Sequence, residues 1–330
     1  MSATNEETSN AELLNAITAG DRAALARAIT LCESTLETDR KRCEGLLKAL
    51  LPRTGNSIRI GITGVPGVGK STFIEAFGEL VTKAGNKVAV LAIDPTSQKT
   101  RGSILGDKTR MNKLSRNENV FIRPSPSGTA LGGVSFQTRE AILLCEAAGF
   151  NVIIIETVGV GQSETIIKDM VDFFLLLMLA GAGDELQGIK KGIMEMADLV
   201  AINKADGANV KASLQAKADV QSALHLQANH DTQWQTKVLT ISSTQGNGIE
   251  EVWKSIQDHK EITTERGYFQ ANRQRQQRKW LEESIENQFR EWIQGPSVIK
   301  EKDALLDAIM QDKLLPSEAA RKFWNNFRKV

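Results

Sequence analysis

A chain of 330 residues with 41% hydrophobic and 25% charged content has the composition of an ordinary globular protein, long enough to bury a large core and to hold more than one folding unit. Its 41 basic and 40 acidic residues leave a formal net charge of +1, which argues against nucleic acid as a dominant partner. The longest apolar run, FFLLLMLA at 173–180, is far below the ~20 residues that span a bilayer, so no membrane association is expected.

The opening MSATNEETSN is polar and acidic. It lacks the basic and apolar regions of a signal peptide and the Arg-rich character of a transit peptide, and a cytoplasmic protein is expected. Cys32, Cys43 and Cys145 are odd in number and widely spaced, and His225, His230 and His259 do not fall at ligand spacing. Three reduced thiols are the expectation. From about residue 10 to 50, Ala and Leu alternate with charge at helical spacing, which predicts two or three short amphipathic helices.

PRTGNS then breaks that pattern before IRIGITG at 58–64. Further apolar runs follow: KVAVLAID (87–94), NVFIR (119–123), NVIIIET (151–157), FFLLLMLA (173–180), DLVAINK (198–204) and KVLTISS (237–243). Amphipathic stretches such as STFIEAFGELVTKAG and TREAILLCEAAG separate them. Near-continuous apolar strands alternating with helices predict an α/β fold with a mostly parallel sheet covered on both faces, whose ligands bind at the carboxyl ends of the strands. Beyond Tyr268 the chain turns into charged amphipathic helices, broken at Gly295-Pro296, that carry Trp280, Phe289, Trp292, Phe323, Trp324 and Phe327. So short a tail cannot bury all of these alone; it either packs on the main domain or forms a subunit interface. The expected division is a helical segment at 1–55, a nucleotide-binding domain at 56–265 and a helical arm at 266–330.

GVPGVGKST fits G-x-x-x-x-G-K-[ST] between a strand and a helix, the setting that a phosphate-binding loop requires. Gly64, Val65, Pro66, Gly67, Val68 and Gly69 would turn backbone N–H groups inward around the phosphates, Lys70 would bridge the β- and γ-phosphates, the Ser71 hydroxyl would ligate Mg²⁺, and Thr72 would complete the loop. INKAD at 202–206 matches N-K-x-D. The Asp206 carboxylate can accept from both N1–H and the exocyclic amine of guanine, and adenine offers no such donor pair. Lys204 would lay its alkyl stem along the base and Asn203 would tie this loop to the phosphate loop. The Ser242, Ser243 and Thr244 backbone would meet the base O6. GTP is therefore expected over ATP. Asp94, Asp107, Glu156 and Ser71 are the candidate metal ligands, not all of them direct, because Mg²⁺ usually keeps several waters.

The blocks AIDPTS, GSILGDKTRMN, RPSPSGTALGG, CEAAGFNVIIIETVGVGQSE, AGAGDELQGIKKGIMEMADL and INKAD together resemble the MeaB/ArgK family, the G proteins associated with methylmalonyl-CoA mutase, over roughly residues 10–330. That resemblance implies a dimeric P-loop GTPase that binds a cobalamin-dependent acyl-CoA mutase, gates adenosylcobalamin loading and protects or reactivates the mutase. It also implies switch I in DPTSQKTRGSILGDKTR, switch II in ETVGVGQSE, an additional switch III in GAGDELQGIKK, and a homodimerisation role for the C-terminal helices. Gln98, Arg101 and Ser243 stand where the family more often has Pro, Gly and Ala. The chain shows no D-x-H-x-x-G cobalamin signature around its three histidines, so the cobalamin should belong to the partner.

The expected chemistry is Mg²⁺-dependent in-line attack of water on the γ-phosphate, with Lys70 stabilising charge and Glu156 organising a metal-bound water. Val160 stands after the switch glycine, where it cannot orient the attacking water; Gln162 and Glu164 lie nearby in sequence without being placed by it. Lys190 or Lys191 would supply positive charge once a partner orders switch III. The rival functions are a small-molecule kinase, an amino-acid transport ATPase and a binding scaffold that holds nucleotide without turning it over.

Overall fold

The computed structural model describes residues 2–93, 111, 113–125, 131–157, 163–181, 191–225 and 234–327. The chain falls into two compact units, Met1–Gln276 and Gln277–Val330.

The first unit is built on a sheet of β1 (Ile58–Gly64), β2 (Val88–Ile93), β3 (Val120–Ser125), β4 (Val152–Thr157), β5 (Phe173–Leu179), β6 (Leu199–Asn203) and β7 (Lys237–Thr240). Their order is β3-β2-β4-β1-β5-β6-β7 and every pairing is parallel. A parallel sheet needs helical crossovers that cover its faces, so its strands are apolar on both sides. Ile60, Ile62, Ile153, Ile154, Ile155 and Phe173 through Leu177 are accordingly all fully buried. The seven strands coincide with the seven apolar runs of the sequence.

Helices α4 (Lys70–Lys83), α5 (Leu131–Ala147), α6 (Ser163–Lys168), α7 (Lys191–Met196) and α8 (Val210–His225) lie in the described crossovers, and α9 (Ile249–Glu265) follows β7. Gly78 of α4 is needed for packing: a Cβ there would stand 2.7 Å from Leu114. Upstream, α1 (Ser2–Thr18), α2 (Arg22–Glu33) and α3 (Glu37–Leu50) are the three N-terminal helices. Asp21 caps α2 by accepting from the backbone N–H groups of Ala23 and Ala24, and those bonds hold its carboxyl below the usual range. Leu25, Ile29, Leu46 and Leu50 join the main hydrophobic core. The expectation of three free thiols is corrected here: Cys32 and Cys43 form a disulfide between α2 and α3, and Cys145 alone is free and buried. Sequence spacing concealed the pair because facing helices bring together cysteines 11 positions apart.

The lower, amino-terminal edge of the sheet carries a closed ion network. Glu146, at the end of α5, accepts from Gly55 N at 2.8 Å, Ser57 Oγ at 2.5 Å and both Arg59 Nε and Nη2 at 2.9 Å. Asp172, just before β5, accepts from Arg59 N at 2.8 Å and from Arg273 through Nε and Nη2. Arg273 belongs to α10 (Tyr268–Ile293) and also donates to Ser57 O at 3.0 Å. Burial pushes the Glu146 carboxyl up, but Arg59, Ser57, Gly55 and Arg273 outweigh it and leave it below its ordinary value.

In the second unit, the end of α10 is followed by α11 (Pro296–Met310) and α12 (Pro316–Phe327). Phe289 packs on Trp292 and Trp324, with ring centroids 5.4 and 5.8 Å apart, and Trp292 meets Phe323 at 6.4 Å. Leu281, Ile285, Phe289 and Trp292 follow one another at i, i+4, i+8 and i+11 on α10, and all four are exposed.

Candidate nucleotide-binding site

At the upper, carboxyl edge, β1 ends on Gly64 and α4 begins at Lys70. Two glycines in this loop are sterically required. A Cβ on Gly64 would stand 2.5 Å from Leu177 O, and one on Gly69, whose φ is +95°, would stand 2.8 Å from Asn203 Nδ2. The α4 N-terminus has no side-chain cap. Its leading N–H groups and the positive end of its dipole therefore face the loop, an arrangement suited to phosphate. Lys70 is buried and donates through Nζ to Gly64 O at 2.7 Å and Val65 O at 3.3 Å, which folds its ammonium over the loop. Pro66, Gly67 and Thr72 are exposed, Val65 and Val68 are buried, and Ser71 is half-buried.

Glu156 comes from the end of β4, one strand over, and is 4% exposed. Its Oε1 lies 3.5 Å from Ser71 Oγ. A hydroxyl and a carboxylate oxygen side by side next to a phosphate loop form an all-oxygen donor pair, which fits a hard cation such as Mg²⁺. Ser71 and Glu156 would hold it. Asp94, Asp107, Lys190, Val160 and Gln162 lie outside the described residues, so the remaining candidate ligands and the switch III lysine are not placed. Glu164 is placed, buried at the start of α6.

The third component comes from β6 and β7. Asn203 ends β6, is 2% exposed, and donates Nδ2 to Val68 O at 2.8 Å across 135 positions of sequence. Its Oδ1 accepts from Ser243 N at 3.2 Å and Ser243 Oγ at 2.8 Å. One side chain thus ties the phosphate loop to both candidate base loops. Lys204 follows with φ +58°, uncommon for a residue with a side chain, and its own side chain is exposed. That turn leads to Asp206, whose Oδ2 accepts from Ser242 Oγ and, at 3.3 Å, from Thr244 Oγ1. The loop after β7 therefore orients the Asp206 carboxylate through two hydroxyls.

Sequence reasoning missed one contact beneath the site. Thr157 Oγ1 donates to Thr63 Oγ1 at 3.0 Å in full burial and locks β4 to β1 directly under Glu156 and the phosphate loop. No local signal marks it, because the partners are 94 positions apart.

Fold and phosphate loop together define a P-loop nucleoside triphosphatase, with the Asp206 carboxylate held by hydroxyls beside that loop's Asn203 tie. Comparison with known proteins narrows this. The model of the family described as "Methylmalonyl Co-A mutase-associated GTPase MeaB" matches residues 25–296. A "Putative GTPase" of Caulobacter vibrioides is 51% identical over 304 residues, 92% of this chain and 93% of that protein. "GTPase ArgK" of Escherichia coli is 51% identical over 282 residues, 86% and 85% of the two chains. A "Methylmalonic aciduria type A homolog, mitochondrial" of Mus musculus is 43% identical over 319 residues, 93% and 77%. The crystal structure of a "LAO/AO transport system kinase" aligns with a TM-score of 0.76 at 41% identity, covering 98% of this chain and 99% of that one. The chain belongs to the MeaB family of methylmalonyl-CoA mutase-associated GTPases, and by that membership it is a guanine-nucleotide-binding GTP hydrolase.

Proposed function

We propose that this GTPase serves as a chaperone of a cobalamin-dependent acyl-CoA mutase of the methylmalonyl-CoA type, gating adenosylcobalamin loading and protecting or reactivating the mutase. Family membership supports the client class. The observation that carries the nucleotide half is the Asn203 bridge, which makes phosphate loop and base loops one unit. A kinase or transport ATPase would have no use for the buttressed Asp206 carboxylate, and neither is favoured. Among the described residues no helix is long and apolar enough to cross a membrane.

In this reading GTP lies with its phosphates on the α4 N-terminus and its base on Asp206 and the loop after β7. Lys70 swings from the Gly64 and Val65 carbonyls onto the β- and γ-phosphates, and positive charge meets the charge that develops as the γ-phosphoryl transfers. Glu156 orients a water beside Ser71. Bound Mg²⁺ supplies electrostatic stabilisation of the phosphates. Lys190, when ordered by the mutase, adds positive charge at this step, with Asp94 and Asp107 completing the metal surroundings. The functional division is 1–55, 56–265 and 266–330. The arm forms a homodimer, supported by the exposed stripe Leu281, Ile285, Phe289 and Trp292.

Single-turnover hydrolysis with and without saturating mutase tests the proposal. Slow turnover alone and faster turnover with mutase are expected, together with co-purification that depends on GTP versus GDP; identical rates would remove the chaperone reading. Sedimentation equilibrium of the full chain measures the dimer.

A further inference from the structure

The N-terminal helices hold chemistry that GTP hydrolysis does not use. Cys32 near the end of α2 and Cys43 in α3 are bonded, and they are 8% and 2% exposed. The Glu140 carboxyl of α5 closes on them: one carboxylate oxygen and both sulfurs lie within 4.8 Å of one another. Beside them runs a groove of about 780 Å³ lined by Leu31, Glu33 and Arg42, the chain neighbours of the two cysteines, and by Ser34 and Asp39. The next residue after Cys32, Glu33, pairs with Arg123 of β3, and its carbonyl accepts from Gln137 of α5 at 3.4 Å. The bond is therefore fastened to the junction of α2, β3 and α5.

We propose that Cys32 and Cys43 form a reversible dithiol–disulfide site that exchanges with small-molecule thiols and disulfides of the glutathione type, with Glu140 as the proton donor and acceptor. In the reducing direction the thiolate of a small thiol attacks Sγ of Cys32, the more exposed of the two residues. The S–S bond breaks and its electron pair leaves on Sγ of Cys43, which takes the carboxyl proton of Glu140. The proton lost by the attacking thiol restores the acid. A second small thiol then displaces the mixed disulfide at Cys32. The balance is one protein disulfide plus two thiols giving one protein dithiol plus one small disulfide, with two electrons transferred. Burial pushes the Glu140 carboxyl up to about 8, with Glu44 adding to the effect and Arg40 opposing it, so the acid holds its proton at neutral pH. Cys145 is fully buried, its thiol pushed up chiefly by that burial, and it serves as an internal standard that stays reduced.

The test equilibrates the full chain in glutathione buffers from reducing to oxidising, followed by acid quench, alkylation in denaturant and intact mass. One alkylated cysteine at the oxidising end and three at the reducing end are expected, in a single transition that is the same from both directions while the fold persists by circular dichroism. Cys43→Ser should trap one glutathione on Cys32, and Cys32→Ser should trap far less on Cys43. Glu140→Gln should slow exchange on the order of tenfold and leave the end points unchanged, which a merely structural acid would not do. Three alkylated cysteines throughout would overturn the proposal. So would reduction only on unfolding, which makes the bond a permanent staple. Stoichiometric Zn²⁺ uptake by the reduced chain that blocks reoxidation would overturn it too and assign Cys32, Cys43 and Glu140 to a metal.

Discussion

The two edges of the sheet are built from the same strands and meet opposite fates. At the lower edge Arg59 and Arg273 face Glu146 and Asp172, and the two carboxylates are 99% buried because the cations close on them. At the upper edge the polar groups are held by loop backbone and by each other: Lys70 on two carbonyls, Ser71 at the edge of hydrogen-bond range from Glu156, and Asp206 under two hydroxyls. The lower edge has spent its charge on the fold. The upper edge gathers an ammonium on loop carbonyls, a helix start without a side-chain cap and two carboxylates held by hydroxyls. Charge that is matched within the chain stabilises it, and charge arranged for a ligand makes it function.

Mutations should separate the two edges. Arg273→Ala strands Asp172 and weakens Glu146 in a buried setting, so it should cost about 3–5 kcal/mol of stability by urea unfolding. Per-molecule GTP hydrolysis in the folded fraction should hold; a variant with native stability would break the comparison at its lower edge. Lys70→Ala should do the reverse. Hydrolysis should fall on the order of 10²–10³-fold in a phosphate-release assay, with little change in melting temperature. A large loss of stability there would mean that the upper edge, too, is structural.

Smaller effects sharpen the upper edge. Asp206→Asn removes a charged acceptor facing two guanine donors, which is worth about 1.5–3 kcal/mol, so GDP affinity by calorimetry should drop roughly 10- to 100-fold. Xanthosine diphosphate, with a carbonyl in place of the exocyclic amine, should then gain. Unchanged GDP affinity would show that the base is not read by this carboxylate. The smallest effect is on pH. Because the folded Glu146 carboxyl lies below its unfolded value, its stabilisation is present above the ordinary glutamate range, about 4.3, and is lost as pH falls through the lower folded value. Thermal melts taken downward from pH 6 should show that loss, and Glu146→Gln should flatten the slope.

The upper edge was far more legible in the sequence than the lower one. GVPGVGKST, the acid near the end of NVIIIET and INKAD all sit where a buried strand stops, and each is a short local pattern with its own chemistry. Arg59, Glu146, Asp172 and Arg273 carry no such pattern, because each is a single charge in a different place and the separations between them, where they bond one another, run from 87 to 127 positions. Ser242 and Thr244 were read for their backbone, and their hydroxyl bonds to Asp206 emerged only when β6 and β7 came together.

The sequence by itself determined the strands and the phosphate loop, and it put Asp206 in the loop after β6. Unbroken apolar runs have nowhere to go but a sheet covered on both faces, and a glycine-rich turn before a helix has few other uses. Only the tertiary structure decided which distant groups meet. It joined Cys32 to Cys43 beside Glu140, set Asn203 on Val68, and closed Arg273 on Asp172. The physical reason is that these contacts depend on how helices and strands stack, and stacking is settled by the summed burial of the whole core rather than by any residue's neighbours in the chain.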